Sequence, residues 1–202
     1  MPAFNSKYFY GQKQKKAILY NPAYNLQKIE SPAAGQAAAG EQSMEGIMCR
    51  RKSTYITAIL IPLAVGGLSA LLSRNGMQAY RTLEKPPLSP PGVVFPIVWS
   101  ILYILMGISS AMIWCSDNQE KTQALKLYVA QLAVNFFWSI FFFAFGWRLF
   151  AFFWLLLLLA LTAMMIKSFY QIDKKTAYLQ IPYLLWLLFA AYLNFGVWML
   201  NR

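Results

Sequence analysis

Long apolar segments separated by short polar ones dominate this sequence from Thr54 to its end. The hydrocarbon core of a bilayer is about 30 Å thick, so a helix needs about 20 residues to cross it. Five segments have that length, and they lie near residues 54–73, 93–114, 124–144, 148–168 and 177–200. None carries a charge in its middle, because Lys126, Arg148 and Lys167 lie near segment ends, where long side chains reach the membrane surface. The pattern predicts an all-α membrane protein, a bundle of five transmembrane helices.

The composition agrees with a membrane protein and excludes several kinds of chemistry. Of the 202 residues, 58% are apolar and 12% are charged, whereas a soluble domain is nearer half apolar and a quarter charged. The net charge is +11, but the basic residues flank apolar segments instead of forming a basic face, so we expect no nucleic-acid partner. The chain has no His, which excludes haem held by a proximal His, His-ligated zinc and His-based triads. We expect no metal site, and we expect Cys49 and Cys115 to be unpaired.

Residues 1–52 differ in composition from the rest of the chain. They contain several Lys and Tyr residues and an Ala-, Gly- and Gln-rich stretch from Ala33 to Gln42. We expect a disordered basic tail here, with a transit peptide as the alternative, and residues 53–202 as the membrane domain. Met44 and Met48 are alternative starts that would shorten the tail.

The distribution of basic residues predicts the orientation in the membrane. From Arg50 onward, more Lys and Arg residues lie on the amino-terminal side of the predicted bundle than on the opposite side. Cytoplasmic segments carry the excess of Lys and Arg in multi-pass membrane proteins. We therefore expect a protein of the cell membrane with its amino terminus in the cytoplasm.

Aromatic and polar residues recur at helical spacing in three of the predicted helices. The sets are Trp99, Tyr103, Met106, Ser110 and Trp114 in the second helix, Gln131, Asn135, Trp138, Ser139 and Phe142 in the third, and Tyr183, Trp186, Ala190 and Asn194 in the fifth. Side chains at such spacings share one helix face. Amides are costly in hydrocarbon unless they are hydrogen-bonded, so these faces are expected to point into the bundle. Two interpretations stay open: hydrogen bonds between helices, or the polar edge of a ligand cavity.

The first connection, from Ser73 to Gly92, is the longest between predicted helices. Its prolines exclude a helix from Glu84 to Gly92 and predict a stiff, extended path. A long irregular loop over a bundle with short connections indicates either a lid or an ordinary surface connection.

Three ordered motifs in this sequence resemble the TspO/MBR family, the tryptophan-rich sensory proteins related to the mitochondrial translocator protein. The motifs are Tyr80-x-x-Leu83-x-Lys85-Pro86-x-x-x-Pro90-Pro91-Gly92-x-Val94-Phe95-Pro96-x-Val98-Trp99, Asn135-x-x-Trp138-Ser139-x-x-Phe142-Phe143, and Ile181-Pro182-Tyr183-x-x-Trp186 with Tyr192-Leu193-Asn194-x-x-Val197-Trp198. The resemblance covers roughly residues 55–201 and looks bacterial in type.

The resemblance implies a five-helix bundle, often a homodimer, that binds porphyrins such as protoporphyrin IX and other aromatic small molecules, with no required cofactor. The pocket it implies lies beneath the first loop and is lined by Tyr80, Trp99, Tyr103, Asn135, Trp138, Trp186 and Ala190. Ala79 and Leu88 replace loop tryptophans common in the family, so the lid is less aromatic. The sterol-recognition pattern after Tyr192 is degraded, and we predict no sterol binding.

Three hypotheses for the function stay open. The first is a membrane sensor or carrier that holds a tetrapyrrole by stacking against aromatic rings. The second is an enzyme that degrades porphyrin in light or oxygen through Trp99 and Trp186. The third is a regulatory membrane subunit that needs no ligand. Ion transport is disfavoured because no helix centre carries an ionisable residue.

Overall fold

The computed structural model of the chain describes residues 52–202, and all regular secondary structure in that range is helical. The helices are α1 Lys52–Leu72, α2 Arg74–Arg81, α3 Val94–Trp114, α4 Lys121–Ser139, α5 Arg148–Ile172, α6 Lys174–Tyr178 and α7 Ile181–Leu200, and a π-helical turn, Ile140–Ala144, extends α4. The predicted tail lies outside the described residues except for Lys52, which begins α1.

Five helical spans are long and apolar enough to cross a membrane, which confirms the predicted all-α bundle. They are Lys52–Leu72, Val94–Trp114, Lys121–Ala144, Arg148–Ile172 and Lys174–Leu200. The last span joins α6 to α7, and α5 runs four residues beyond its predicted end at 168. The length of the apolar segments therefore predicted the position of each span. The helices themselves extend beyond these segments into polar residues.

Three pairs of helices pack closely, whereas α3 and α7 meet through large aromatic side chains. α1 packs against α3, α4 against α5, and α5 against α7. The axes of α3 and α7 stay further apart, and large rings fill the space between them: Phe95 with Trp186, and Trp99 with Tyr183. Three of these rings, those of Trp99, Tyr183 and Trp186, belong to the predicted aromatic faces, so the candidate site lies in this space.

Two parts of the chain differ from the sequence predictions. The connection after α1 is not irregular throughout, because residues 74–81 form α2 before the first proline of the loop. Gly76 lets α2 lie directly on the π-helical turn, since a Cβ there would overlap with the carbonyl group of Phe143. The residues from Glu84 to Gly92 are non-helical, as predicted.

The prediction that Cys115 is unpaired is wrong. Cys115 caps the carboxyl end of α3 and is disulfide-bonded. The expectation came from the absence of a Cys framework in the sequence, and spacing along a chain does not show which thiols meet in space. Cys49 lies outside the described residues.

The crossing of α1 and α3 depends on Gly107, which leads to a stability test. A Cβ at Gly107 would overlap with the Ile59 backbone and lie 2.7 Å from the Ala58 carbonyl oxygen. Overpacking at such a contact costs about 1–3 kcal/mol. We therefore expect Gly107→Ala to lower the melting temperature of the detergent-solubilised protein.

Gly67→Ala is the matched control for this substitution. Gly67 lies on α1, and within residues 52–202 no atom outside its own stretch of helix lies within 4 Å of the place that a Cβ would occupy there. Alanine at this position is expected to leave the melting temperature unchanged or raise it through its better helix propensity. Equal melting temperatures for the two variants would contradict the close crossing.

Candidate ligand-binding site

Trp99 of α3 lies at the centre of the predicted site residues. Its ring centroid is 5.3 Å from that of Tyr103 on the same helix, 6.4 Å from Trp138 on α4 and 6.2 Å from Tyr183 on α7. Aromatic pairs attract each other at such separations. We call Trp99, Tyr103, Asn135, Trp138 and Tyr183 the central cluster, because these residues join three helices inside the bundle.

Helical periodicity and one glycine bring the central cluster together. Trp99 and Tyr103 are four residues apart on α3, and Asn135 and Trp138 are three apart on α4, so each pair shares a face. Gly66 of α1 makes room for the phenol of Tyr103, because a Cβ at this position would overlap with that ring. The predicted faces of α3 and α4 therefore meet.

Hydrogen bonds join the polar side chains of α4 to neighbouring helices. Asn135 Nδ2 lies 3.2 Å from the Tyr103 hydroxyl oxygen, to which it donates, and the Tyr183 hydroxyl donates to Gln131 Oε1 at 2.9 Å. The Ser139 hydroxyl lies 3.2 Å from the hydroxyl of Ser73, which lies between α1 and α2. This face thus makes hydrogen bonds between elements, one of the two interpretations that the sequence left open.

Asn194 of α7 fixes the orientation of Trp138. With its amide turned to satisfy its neighbours, Asn194 Oδ1 accepts from Trp138 Nε1 at 3.2 Å and from the Phe152 backbone N–H at 3.3 Å, and its Nδ2 donates to the Arg148 carbonyl oxygen at 2.8 Å. The indole of Trp138 in turn stacks on Phe142, with centroids 5.7 Å apart and planes 17° apart. One amide therefore links α4, α5 and α7 beside the central cluster.

Tyr80 of α2 connects the first loop with the central cluster. Its ring centroid is 5.8 Å from that of Phe142 and 5.5 Å from that of Phe143, and the Lys85 ammonium nitrogen lies 5.3 Å from its centroid. Burial raises the pKa of the Tyr80 hydroxyl above its ordinary value. Since Phe142 also stacks on Trp138, a continuous path of rings leads from the loop to the cluster.

Trp186 and Ala190 of α7 form the other side of the predicted site. Trp186 contacts Phe95 of α3 at 5.9 Å between centroids and Phe189 at 5.6 Å. Its buried indole nitrogen has no hydrogen-bond partner within residues 52–202. Ala190 is buried one turn later. Trp99 and Trp186 therefore border the same space between α3 and α7, although each ring packs against other aromatic residues.

The first loop is fastened along α7. Asn201 Nδ2 donates to the Glu84 carbonyl oxygen at 2.9 Å, and the Glu84 backbone N–H donates to Asn201 Oδ1 at 3.1 Å. The Tyr192 hydroxyl donates to the Pro87 carbonyl oxygen at 2.9 Å, and the Pro86 ring packs where a Cβ at Gly196 would be. We call these contacts the loop clamp.

A cavity of about 360 Å³ lies beside the loop, between α2 and the π-helical turn. Its walls include Asn75, Tyr80, Phe142 and Arg148, so Tyr80 is the predicted site residue that borders it. Among residues 52–202, no group of three or more His, Cys, Asp or Glu residues lies close enough to hold a metal ion.

Comparison with protein families matches residues 58–199 to the TspO/MBR family. The chain belongs to the TspO/MBR family. It is 37% identical over 150 residues to the translocator protein of Bos taurus, covering 71% of this chain and 87% of the bovine protein. It is 33% identical over 149 residues to the tryptophan-rich protein TspO of Archaeoglobus fulgidus (72% and 95% of the two chains), and 37% identical over 151 residues to protein CrtK of Rhodobacter capsulatus (73% and 93%).

The structure of this TspO/MBR protein adds residues that the sequence analysis did not place in the site. Phe95 and Tyr183 contact Trp186 and Trp99 across the space between α3 and α7. Asn194 lies on the predicted face of α7, but its link to Trp138 depends on the relative rotation of two helices. Asn194 follows Ala190 by four residues, and Tyr183 precedes Trp186 by three. This helical spacing is the sequence feature that indicates that each residue shares a face with a predicted site residue.

Substitution of Asn201 in the loop clamp is expected to change hydrogen exchange at the Glu84 amide of the loop. Asn201→Ala removes the acceptor of the Glu84 amide, and one hydrogen bond contributes about 1 kcal/mol, so exchange of that amide is expected to rise about fivefold. Hydrogen–deuterium exchange of the solubilised protein, followed at this amide by NMR, measures it.

Tyr192→Phe is the control for the clamp experiment. It removes the hydrogen bond to Pro87 and leaves the Glu84 amide bonded to Asn201. A similar rise in Glu84 exchange in both variants, or in neither, would show that Asn201 does not hold this part of the loop.

Proposed function

We propose that this protein is a membrane sensor or carrier that binds a tetrapyrrole such as protoporphyrin IX in the space between α3 and α7. The observation that carries the proposal is the position of Trp99, whose ring meets rings from α3, α4 and α7 inside the bundle. Indole and phenol rings bind a flat apolar macrocycle by stacking. Membership of the TspO/MBR family supports the same ligand class.

The packing between α3 and α7 supports entry of a planar ligand at this place. Rings fill this space, whereas α1 and α3 are locked by a close backbone crossing at Gly107. Side chains change rotamer far more readily than packed helices separate. A macrocycle therefore enters by displacing Phe95 and Trp186 from each other, and the loop clamp holds the ligand after entry.

Charges in the site favour one orientation of a porphyrin. α3 and α7 carry no charged residue along their whole length, so a propionate between them would lack a counter-ion. Arg81 and Lys85 lie on the loop side, where Lys85 already contacts the ring of Tyr80. The propionates of the bound ligand are thus directed toward the loop.

Titration with protoporphyrin IX tests the proposed function. We expect saturable quenching of Trp fluorescence in the detergent-solubilised protein. For Trp99→Phe and Trp186→Phe we expect a dissociation constant roughly three- to tenfold larger than that of the unsubstituted protein, because a ring contact contributes about 0.5–1.5 kcal/mol.

Trp114→Phe and Trp147→Phe are matched controls, because both indoles are more than half exposed at helix ends. Their dissociation constants are expected to equal that of the unsubstituted protein. An unsubstituted protein without saturable quenching would overturn the proposal and favour a regulatory subunit that needs no ligand. Equal weakening in all four variants would place the ligand elsewhere.

A further inference from the structure

The cavity between α2 and the π-helical turn is separate from the space between α3 and α7. Tyr80 and Phe142 line the cavity, with their ring centroids 5.8 Å apart. Phe142 also stacks on Trp138 of the central cluster, and Trp138 is not among the cavity walls. The rings of Tyr80 and Phe142 therefore lie between the cavity and the place proposed for the porphyrin, which leaves the cavity without a role in that binding.

Two glycines and an irregular turn shape this cavity. Gly76 brings α2 directly onto the backbone of Phe143 in the π-helical turn. Gly146 follows that turn with a φ of +68°, a left-handed conformation that glycine adopts without strain, and its carbonyl oxygen accepts from the Arg148 backbone N–H at 2.9 Å. Single π-helical turns are rare and occur frequently at functional sites. The cavity is thus built by local conformations that an ordinary connection between two helices does not need.

Arg148 gives the cavity a positive charge. It is the first residue of α5, it is partly buried, and it lines the cavity. Among residues 52–202, no Asp or Glu lines the cavity. Asp117, Glu120 and Asp173 lie in the connections at the opposite end of the bundle. A partly buried cation without a carboxylate beside it favours binding of an anion.

The length of α5 places this cavity at the level of the lipid headgroups. The helix has 25 residues, and at a rise of about 1.5 Å per residue it is about 37 Å long. The hydrocarbon core is about 30 Å thick, so the helix ends extend beyond it. Phe145 and Trp147, next to Arg148, are 54% and 56% exposed, as is typical of aromatic residues at the membrane surface.

The walls of the cavity match the chemistry of a phosphate group. The guanidinium of arginine presents paired donors to two phosphate oxygens, and the side chains of Asn75 and Tyr80 can donate further hydrogen bonds. Phe143 and Phe145 add apolar walls, and the exposed ring of Phe145 continues onto the outer surface of the bundle. Basic pockets beside transmembrane helices bind the headgroups of anionic lipids.

The volume limits the occupant to a small group. About 360 Å³ is near the lower end of the range for ligand pockets, about 300–1,000 Å³. Such a space holds a phosphate with a short polar headgroup, whereas a whole porphyrin macrocycle does not fit.

We propose that this cavity binds the headgroup of an anionic membrane lipid, with the phosphate at Arg148 and the acyl chains beside Phe145. A lipid is favoured over a porphyrin propionate because Tyr80 and Phe142 lie between the cavity and the porphyrin site. It is favoured over a soluble anion because the cavity adjoins exposed aromatic residues at the membrane surface. The bound lipid joins α2 to the start of α5. The proposal goes beyond the proposed function and does not depend on it.

Native mass spectrometry of the full-length, detergent-solubilised protein tests the proposal in the absence of porphyrin. Dioleoylphosphatidylglycerol and dioleoylphosphatidylcholine have the same acyl chains and differ in net charge. We expect one phosphatidylglycerol to bind with a dissociation constant at least about fivefold smaller than that of phosphatidylcholine, because one cation acts on its net charge. Equal affinities for the two lipids would overturn the proposal.

Two substitutions locate the bound lipid through different properties of the cavity. Arg148→Gln removes the charge, and the dissociation constant for phosphatidylglycerol is expected to rise about fivefold or more while that for phosphatidylcholine stays constant. Ala79→Trp keeps every charge and fills the cavity from the exposed side of α2, so it is also expected to weaken phosphatidylglycerol binding. Melting temperatures in lipid-free detergent show whether each variant is folded.

Arg202→Gln is the matched control, because it removes one positive charge from the same end of the bundle at a residue that does not line the cavity. Its affinity for phosphatidylglycerol is expected to equal that of the unsubstituted protein. Equal weakening by Arg202→Gln and Arg148→Gln, or full affinity in a folded Ala79→Trp variant, would show that the lipid responds to diffuse surface charge and would overturn the proposal.

Two competitors distinguish the lipid from other anions. Glycerol 3-phosphate has the phosphate without acyl chains, and equally tight binding of this compound at Arg148 would identify a site for soluble anions and overturn the proposal. Displacement of phosphatidylglycerol by protoporphyrin IX, lost in Arg148→Gln, would identify a propionate site and also overturn it. A protein that binds phosphatidylglycerol at Arg148 and does not bind porphyrin would contradict only the proposed function.

Discussion

The hydrogen bond between Tyr183 and Gln131 is the interaction on which the arrangement of this bundle depends. An amide inside a bilayer needs a partner, and Gln131 obtains one from α7 at 2.9 Å. That bond ties α7 to α4 across the bundle and leaves α3 and α7 separated by side chains. The space that the aromatic rings occupy is therefore a consequence of where the polar side chains of α4 find their partners.

The rest of the bundle constrains the helices on both sides of this space. α1 and α3 meet backbone to backbone at Gly107, so α3 cannot move toward α1. On the other side, Asn194 joins α7 to the start of α5 and orients Trp138. The loop clamp adds a third constraint, because Asn201 holds Glu84 with two hydrogen bonds at the end of α7. Because α3 and α7 meet through exchangeable rings and not backbone to backbone, a ligand that displaces those rings can also push these two helices apart.

The sequence predicts much of this fold because membrane thickness is a strong constraint. A span must have about 20 apolar residues, so the five segments could be located from length alone. The faces of α3 and α4 could also be predicted, because Trp99 and Tyr103, and Asn135 and Trp138, recur at helical spacing. The same spacing places Trp186 and Ala190 on one face of α7, and the family motifs then supplied Tyr80, which spacing alone does not identify as a site residue.

What the sequence could not predict depends on relations between helices. The link from Asn194 to Trp138 requires the rotation of α7 against α4, and the disulfide of Cys115 requires a second thiol nearby in space. The prolines led to the prediction of an irregular loop for the whole connection, but residues 74–81 contain no proline and form α2.

The distance between α3 and α7 tests the central claim most directly, that a planar ligand enters between these two helices. Spin labels at Ile101 on α3 and Leu188 on α7, both exposed on the bundle surface, report this distance by pulsed electron paramagnetic resonance. A second pair, at Val129 on α4 and Leu157 on α5, reports a contact that should not change. On addition of protoporphyrin IX we expect the first distance to increase by about 3–4 Å, the separation of stacked atoms in contact, and the second to stay constant. An unchanged α3–α7 distance in protein saturated with porphyrin would contradict the account.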